Sequence, residues 1–480
     1  MKNILLPVLL FTFSLTIAQP CVGGMAGSYP CNGYDLLTFI PCTDFGATNS
    51  NDSWGWTDPD DGTEYALVGL DNGVAFLDIS DPVNPIYLGK LPTHTDPSLW
   101  RDVKVYNNYA FVVSEASGHG MQVFDLTRLR SVASPPETFT EDAHYNGFGG
   151  AHNLVVNEET GYAYGVGTST FNGGPHFINI QDPLNPVAAG GYAMDDYSHD
   201  GQVVTYNGPD ADYTGREIFM GSNGEQGGVN EIAIVDVTDK SNPLDIATIG
   251  YSNDAYAHQG WFTDDHRYFI VGDEIDEINF GFNTRMLVFD MLDLDNPQLS
   301  FEYEGPTSAT DHNGYVKGDE YYLANYKAGI RVMDISDIGN GNMTETGYFD
   351  IYTPNNGAGY DGAWNVYPYF DSGNIMITSL TYSDPNYVPG FYLIRASSLG
   401  AEDFDFNNVS IYPNPTSEKV TLNLKNSEIN NLTIVDISGK ILYSETEINS
   451  ENMTLDLSRY SAGIYFITIN NSVTKKIIKQ

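Results

Sequence analysis

A pattern that recurs seven times constrains this chain more than any other feature. Seven segments share an apolar run that mostly closes on an acid: VAFLDIS (74–80), MQVFDLT (121–127), HFINIQD (176–182), IAIVDVT (232–238), MLVFDML (286–292), IRVMDIS (330–336) and FYLIRAS (391–397). The acidic position falls at Asp78, Asp125, Asp236, Asp290 and Asp334, with Asn179 and Arg395 in its place in the third and last copies. Several copies then turn through Asn-Pro, as in DPVNP (81–85), DPLNP (182–186), DKSNP (239–243) and DLDNP (293–297). Proline cannot donate to a ladder, so each marks a strand's end and a turn. The intervals between copies, 44 to 61 residues, each hold four strand-like runs. Four strands per repeat of this length is the signature of a β-propeller, whereas solenoid repeats are shorter or helical. Seven copies predict seven blades over residues 19–400. The last copy ends without a fourth strand, and DLLTFI (35–40) lies unpaired upstream of the first. The expectation is a ring closed by the N-terminal strand, which removes two open edges.

Composition decides what such a fold can touch. The 21 Lys and Arg against 63 Asp and Glu leave a net charge of −42. A surface this negative repels phosphate backbones and anionic lipid, which excludes nucleic acid and peripheral membrane binding. Disorder is excluded too, because 41% hydrophobic residues supply a core. Residues 409–480 hold seven basic and seven acidic residues, so the whole charge resides upstream. This neutral tail reads as a small β-sandwich of its own after an acidic linker, 401–408. At the other end, Lys2, an apolar stretch over 4–17 and Thr16-Ile17-Ala18 form a signal peptide, 1–18. The apolar stretch is too short to span a bilayer, and no later run is long enough. Cys21 follows Ala18-Gln19-Pro20, a poor lipoprotein box.

Three cysteines, at 21, 31 and 42, are too few for a disulfide scaffold. A strand over 35–40 spans about 20 Å and separates Cys31 from Cys42 beyond bridging distance. The flexible stretch between Cys21 and Cys31 can fold back, so that pair is expected, with three free thiols as the competing reading.

Two resemblances add to this. The tail resembles the C-terminal sorting domain of type IX secretion substrates in Bacteroidetes, through Tyr412-Pro413-Asn414-Pro415, Asp436-Ile437-Ser438-Gly439-Lys440, Leu457-Ser458, Ser461-Ala462-Gly463-Ile464-Tyr465 and Lys475-Lys476. The resemblance implies dealings with the type IX machinery, passage through the outer membrane, removal of the domain, and release or attachment to surface glycolipid. A carbohydrate-binding sandwich is the alternative. Residues 21–400 resemble the choice-of-anchor B family, whose repeats are related to the LVIVD-type propeller repeat. The strings that carry this are CVGGMAGSYPC (21–31), WGWTDPDDGTEYALVG (54–69), WRDVKVY (100–106), VSEASGHGMQVFDLTRLR (113–130) and DHNGYVKGDEYYLANY (311–326). That family brings no established activity.

Candidate chemistry lies where each repeat begins. His152-Asn153, His199-Asp200, His258-Gln259 and His312-Asn313 occupy equivalent starts of the innermost strand, aligned with Trp54, with Trp100 and Arg101, and with Asp361 in the other copies. In a propeller these strands line the central channel, so the side chains converge at one mouth. Imidazoles there could bind a divalent metal or move protons. Because strand side chains alternate, only one member of each pair can line the channel unless a bulge intervenes, and His is the constant one. Asp58, Asp60, Asp61 and Glu64, and likewise DEIDE (273–277), concentrate carboxylates suited to Ca²⁺. Ser114 and His119 lie close in sequence but without a nucleophile elbow. These features predict a secreted or surface propeller that binds an extracellular partner or ligand at one end. The alternative is a metal-dependent extracellular hydrolase with a His-lined site.

Overall fold

The computed structural model describes residues 18–224, 228–397, 409–424, 428–437, 440–450, 452–469 and 473–480. The chain divides into two compact units, Met1–Ala396 and Ser397–Gln480. The expected linker 401–408 and all of the expected signal peptide except Ala18 lie outside the described residues. The protein is all-β; its one α-helix among the described residues is Asp276–Phe280. No helix among these residues is long and apolar enough to cross a membrane.

The first unit is a succession of antiparallel sheets. The first is Ser50–Thr57, Glu64–Leu70, Gly73–Asp78 and Ile86–Pro92, hydrogen-bonded in chain order. Six more follow, beginning at Arg101–Tyr106, Asn153–Asn157, Asp200–Thr205, Ala257–Phe262, Gly314–Lys317 and Gly362–Tyr367. Every recurrent apolar segment is a third strand, and its core residues are buried on both sides. Alternate residues face opposite neighbours. In the first sheet Tyr65, Leu67, Val74 and Phe76 pack on Val103, Val112 and Phe124 of the second, while Ala66, Val68, Ala75 and Leu77 pack on Phe391 and Leu393 of the seventh. A strand with two buried faces reads as a continuous apolar run, which is why the repeat was visible.

The acidic position of the repeat has a local use. Asp78, Asp125, Asp236, Asp290 and Asp334 each accept from the backbone N–H two residues on, which starts the turn. Asn179 does the same for Gln181, so the substitution keeps the turn. Arg395 needs no such turn, because its strand is the last of its copy; it donates instead to Asn374.

The seventh sheet takes its outer strand from the N-terminus: Tyr34–Pro41 pairs antiparallel with Gly390–Ala396. Two additions were not foreseen. Tyr29–Asn32 adds to the outer edge of the sixth sheet. In the second copy a long connection places Glu137–Thr138 parallel to Ile86–Pro92 before the short fourth strand Ala143–Tyr145. Both cover strand edges that would otherwise offer unpaired backbone groups. Cys21 and Cys31 are joined, with Cα atoms 6.0 Å apart, and Cys42 is a buried thiol.

The second unit is two sheets, Val409–Tyr412 with Lys419–Leu424 and Asn452–Asp456, and Ile429–Asp436 with Ile441–Ser450, Gly463–Ile469 and Val473–Lys479. Val420, Leu422 and Leu455 of one meet Leu432, Ile434 and Ile467 of the other in a single core.

Candidate functional site

The first strands of successive sheets touch one another in order, and Gly362–Tyr367 touches Ser50–Thr57. At one end of these strands His152, His199, His258 and His312 stand side by side, with successive ring centroids 4.1, 4.3 and 4.2 Å apart. Trp364 continues the row 4.2 Å beyond His312. Repeat-equivalent positions became spatial neighbours because the third to seventh sheets each contribute one ring to the row.

Each ring is held differently. His199 Nδ1 bonds the His258 carbonyl at 3.1 Å, and His312 Nδ1 the Trp364 carbonyl at 2.6 Å. His152 Nδ1 meets Glu115 Oε1 at 2.6 Å, while His258 Nδ1 is buried with no hydrogen-bond partner. Glu274, just past the second strand of the fifth sheet, comes within 3.9 Å of His258 Nε2 and 3.8 Å of His312 Nε2. Its other anchor is the Tyr326 hydroxyl, which donates at 2.7 Å. Burial holds His199 and His258 well below the usual imidazole range, with repulsion from the neighbouring imidazoles adding to the effect, and brings His312 down to about 3. These rings are therefore neutral, the form that ligates metals. His152 is the exception: burial opposes its charge, but the Glu115 hydrogen bond and nearby carboxylates outweigh it and raise its pKa. Burial also lifts Glu274 to about 7.

The strict alternation expected of each His pair does not hold. The strand is bulged between Ala257 and Gln259, which frees His258, and a matching bulge frees Trp364. His152 and His199 sit just ahead of their strands, His312 two residues ahead. Both members of each pair are consequently usable. Asn153 donates to the His199 carbonyl, Gln259 accepts from Gly314 N, and Asn313 donates to Asp52. Asp52, Asp102 and Asp200 surround Lys104, which bonds both Asp102 oxygens at 2.6 and 2.8 Å. Farther along the strands Lys104, Asp200, Gln202, Trp54, Trp261 and Tyr315 line a cavity of about 130 Å³.

The other expected mouth residues lie elsewhere. Trp364, three residues beyond Asp361, takes the seventh position; Asp361 instead accepts from the backbone of Tyr382, Ser383 and Asp384 and pins that loop. In the first sheet the equivalent bulge spans Asn51 and Asp52, so Trp54 belongs to the cavity. Trp100 is exposed. Arg101 is fully buried between sheets, bonding the Leu70 carbonyl, Thr93 and His119. Ser114 bonds the Trp100 carbonyl, so no Ser–His pair forms. The Ca²⁺ set of the first acidic loop does not converge either. Asp58 is clamped by Arg130, Asp60 joins the same guanidinium, Asp61 caps Thr63, and Glu64 binds Ser372. A guanidinium already satisfies the charge that a cation would have met. Sequence reasoning missed Glu115 and Tyr326, and placed Glu274 in an acidic Ca²⁺ loop instead of beside the imidazoles; all three come from second strands and connections without any repeat signal. Trp364-Asn365 did carry one, an aromatic followed by Asn as in His312-Asn313.

These shifts give a pH profile. Burial raises Asp200 and Glu274 to about 7 and Asp350 to about 6. A raised carboxyl pKa means that the folded state binds the proton more tightly, so stability grows as pH falls through 7. Depressed histidines act oppositely, since the unfolded chain takes their protons below about 6.5. In chelator, calorimetric stability should therefore rise by about 1–2 kcal/mol from pH 8 to 6.5 and then level off. A steady fall over that first interval would contradict the assignments.

Comparison with known proteins bears on both units. Residues 410–480 match the secretion system C-terminal sorting domain. Residues 63–93 and 100–118 match the LVIVD repeat. Beta-agarase A of Zobellia galactanivorans is 31% identical over 87 residues, which is 18% of this chain and 16% of the agarase. Among solved structures, PorZ, a surface component of the type-IX secretion system of Porphyromonas gingivalis, shows 11% identity over 91% of this chain and 60% of its own, with a TM-score of 0.45. U3-55K shows 9% identity over 76% and 98% at 0.46, and Saccharomyces cerevisiae Sqt1 9% over 75% and 98% at 0.46. All three scores are below 0.5, so the likeness is loose.

Within the sorting domain the residues that carry the resemblance tie its ends together. Asn414 donates to the Lys476 carbonyl at 2.7 Å and accepts from Ile478 N at 2.9 Å, and Tyr465 donates to the Ser461 carbonyl. The sorting domain points to export and to a surface or extracellular location.

Proposed function

We propose that this chain is an exported seven-bladed β-propeller of the choice-of-anchor B family that binds an extracellular ligand where the four imidazoles gather, with a zinc-class divalent cation held between His258, Glu274 and His312. Seven third-strand copies, the pairing of Tyr34–Pro41 with the last of them, and the packing of the seventh sheet on the first support a ring closed by the N-terminal strand. The sorting domain supports delivery by the type IX machinery, and the same reading has residues 1–18 removed on export.

One observation carries the site: two neutral, buried imidazoles and a carboxylate converge, with donor atoms all within 4.8 Å of one another. Nitrogen with one carboxylate oxygen is a donor set suited to Zn²⁺. The 3.8 and 3.9 Å separations exceed the roughly 3.3 Å of a tetrahedral set, so binding requires the three side chains to draw together by about half an ångström.

A second reading, a metal-dependent hydrolase, is favoured by the same donors, since three protein ligands leave a fourth position for water. Zinc titration of chelator-stripped protein should find one site per chain. His258→Ala and His312→Ala should each weaken it by more than the about 10–100-fold that loss of an outer-shell partner costs. Unchanged affinity in both variants would sink the site. Turnover of ester, phosphate or glycoside probes by the zinc-loaded chain, lost in both, would establish the hydrolase reading over the binding one.

A further inference from the structure

The second acidic loop behaves unlike the first. Asp276 and Glu277 open the short helix after the second strand of the fifth sheet, and Asp311 lies just ahead of the sixth sheet's first strand. All three carboxylates are buried, with oxygens within 4.8 Å of one another. Asp276 Oδ1, both Glu277 oxygens and both Asp311 oxygens have no hydrogen-bond donor. Five unmet buried oxygens are rare in a folded protein, because each costs its full desolvation.

The charges do not balance either. Among the described residues the one cation at the cluster is Arg285, whose Nε meets Asp276 Oδ2 at 2.6 Å and whose Nη1 is shared with Glu302. Fully ionised, three carboxylates and one guanidinium would leave two negative charges, and burial with mutual repulsion accordingly raises the pKa of Asp276, Glu277 and Asp311 when no cation is bound. One proton shared by Glu277 and Asp311 would satisfy one contact and leave the remaining oxygens unmet. The neighbouring Asp273, by contrast, accepts from Ala255 N, Tyr256 N and the Tyr251 hydroxyl. The backbone also makes room for the cluster, since a Cβ on Gly272 would lie 2.1 Å from Asp311 Oδ2.

We infer that Asp276, Glu277 and Asp311 form a binding site for one Ca²⁺, separate from the imidazole site. An all-carboxylate donor set is hard, which suits Ca²⁺ over zinc-class ions. Calcium bonds of 2.3–2.6 Å bridge oxygens up to about 4.8 Å apart, and water or backbone carbonyls fill its remaining positions. The ion would tie the 274–280 segment to the 305–312 segment, and so hold Glu274 and His312 in register from behind.

The test uses the full chain stripped with chelator and titrated with Ca²⁺ alone, by calorimetry and by thermal melting. The expected result is one Ca²⁺ per chain with a melting temperature several degrees higher when it is bound. Asp311→Asn and Glu277→Gln should lose both responses, and stripped Glu277→Gln should melt no lower than the stripped parent, because it relieves repulsion. His258→Ala should keep the Ca²⁺ response in full. No heat and no melting shift in the parent would overturn the inference, as would Asp311→Asn and Glu277→Gln responding to Ca²⁺ as the parent does.

Discussion

Replacing Lys104 with Met should destabilise the first unit by about 3–5 kcal/mol, the cost of breaking a buried ion pair by removing one partner. Lys104 bonds both oxygens of Asp102 and is the cation between Asp102, Asp52 and Asp200. Methionine keeps most of the volume, so the loss comes from charge and not from a cavity. Asp102 would retain its bonds from the backbone of Val103 and Leu154, and Asp52 those from Asn313 and Trp364. Those neutral donors orient the carboxylates without neutralising them. The deficit should shrink at pH 5, where burial has already raised Asp200 to about 7 and Asp52 to about 6, so that both are protonated without Lys104. Urea unfolding at pH 8 and pH 5 reads both numbers. A loss under about 1 kcal/mol at pH 8 would mean that the three aspartates do not depend on this lysine.

Deleting residues 410–480 should abolish surface delivery in a host with type IX secretion while leaving the first unit folded. The deletion falls within the second compact unit, which has its own core. The truncated chain should collect in the periplasm with the disulfide Cys21–Cys31 and the melting temperature of the first unit intact. The complete chain should appear in medium or outer-membrane fractions, and its mass should place the cuts near Gln19 and between 401 and 408. Equal surface delivery of both chains would show that the sorting domain is not the address.

Much of this was legible before any coordinates. Third strands buried on both faces must be apolar throughout, and an acid at the next position starts the turn, so Asp78 and its counterparts announced the repeat. The same regularity placed His152, His199, His258 and His312 at equivalent points, and equivalence under a repeat becomes proximity when the sheets pack in order. The strand Tyr34–Pro41 was legible by subtraction, since the seventh copy lacked a fourth strand.

What the repeat could not convey is where regularity breaks. Bulges at Ala257–Gln259 and Ala363–Asn365 shift side chains by one position, which put Trp364 in the row and left Asp361 to anchor a loop. Charge pairing is equally invisible along the chain. Arg130 lies 72 residues from Asp58 and cancels the first acidic loop, whereas in the second loop Arg285 meets only Asp276, and Glu277 faces another carboxylate, Asp311. Glu274 reaches two imidazoles because its N–H bonds the Tyr256 carbonyl, which carries the second strand of the fifth sheet past the start of the first. The sequence by itself determined the sheets, their order and the C-terminal sorting domain, because backbone pairing and burial are read from local periodicity. Only the tertiary structure decided which charges are paired and which are left facing one another, because Coulomb interactions depend on separation in space and carry no period along the chain.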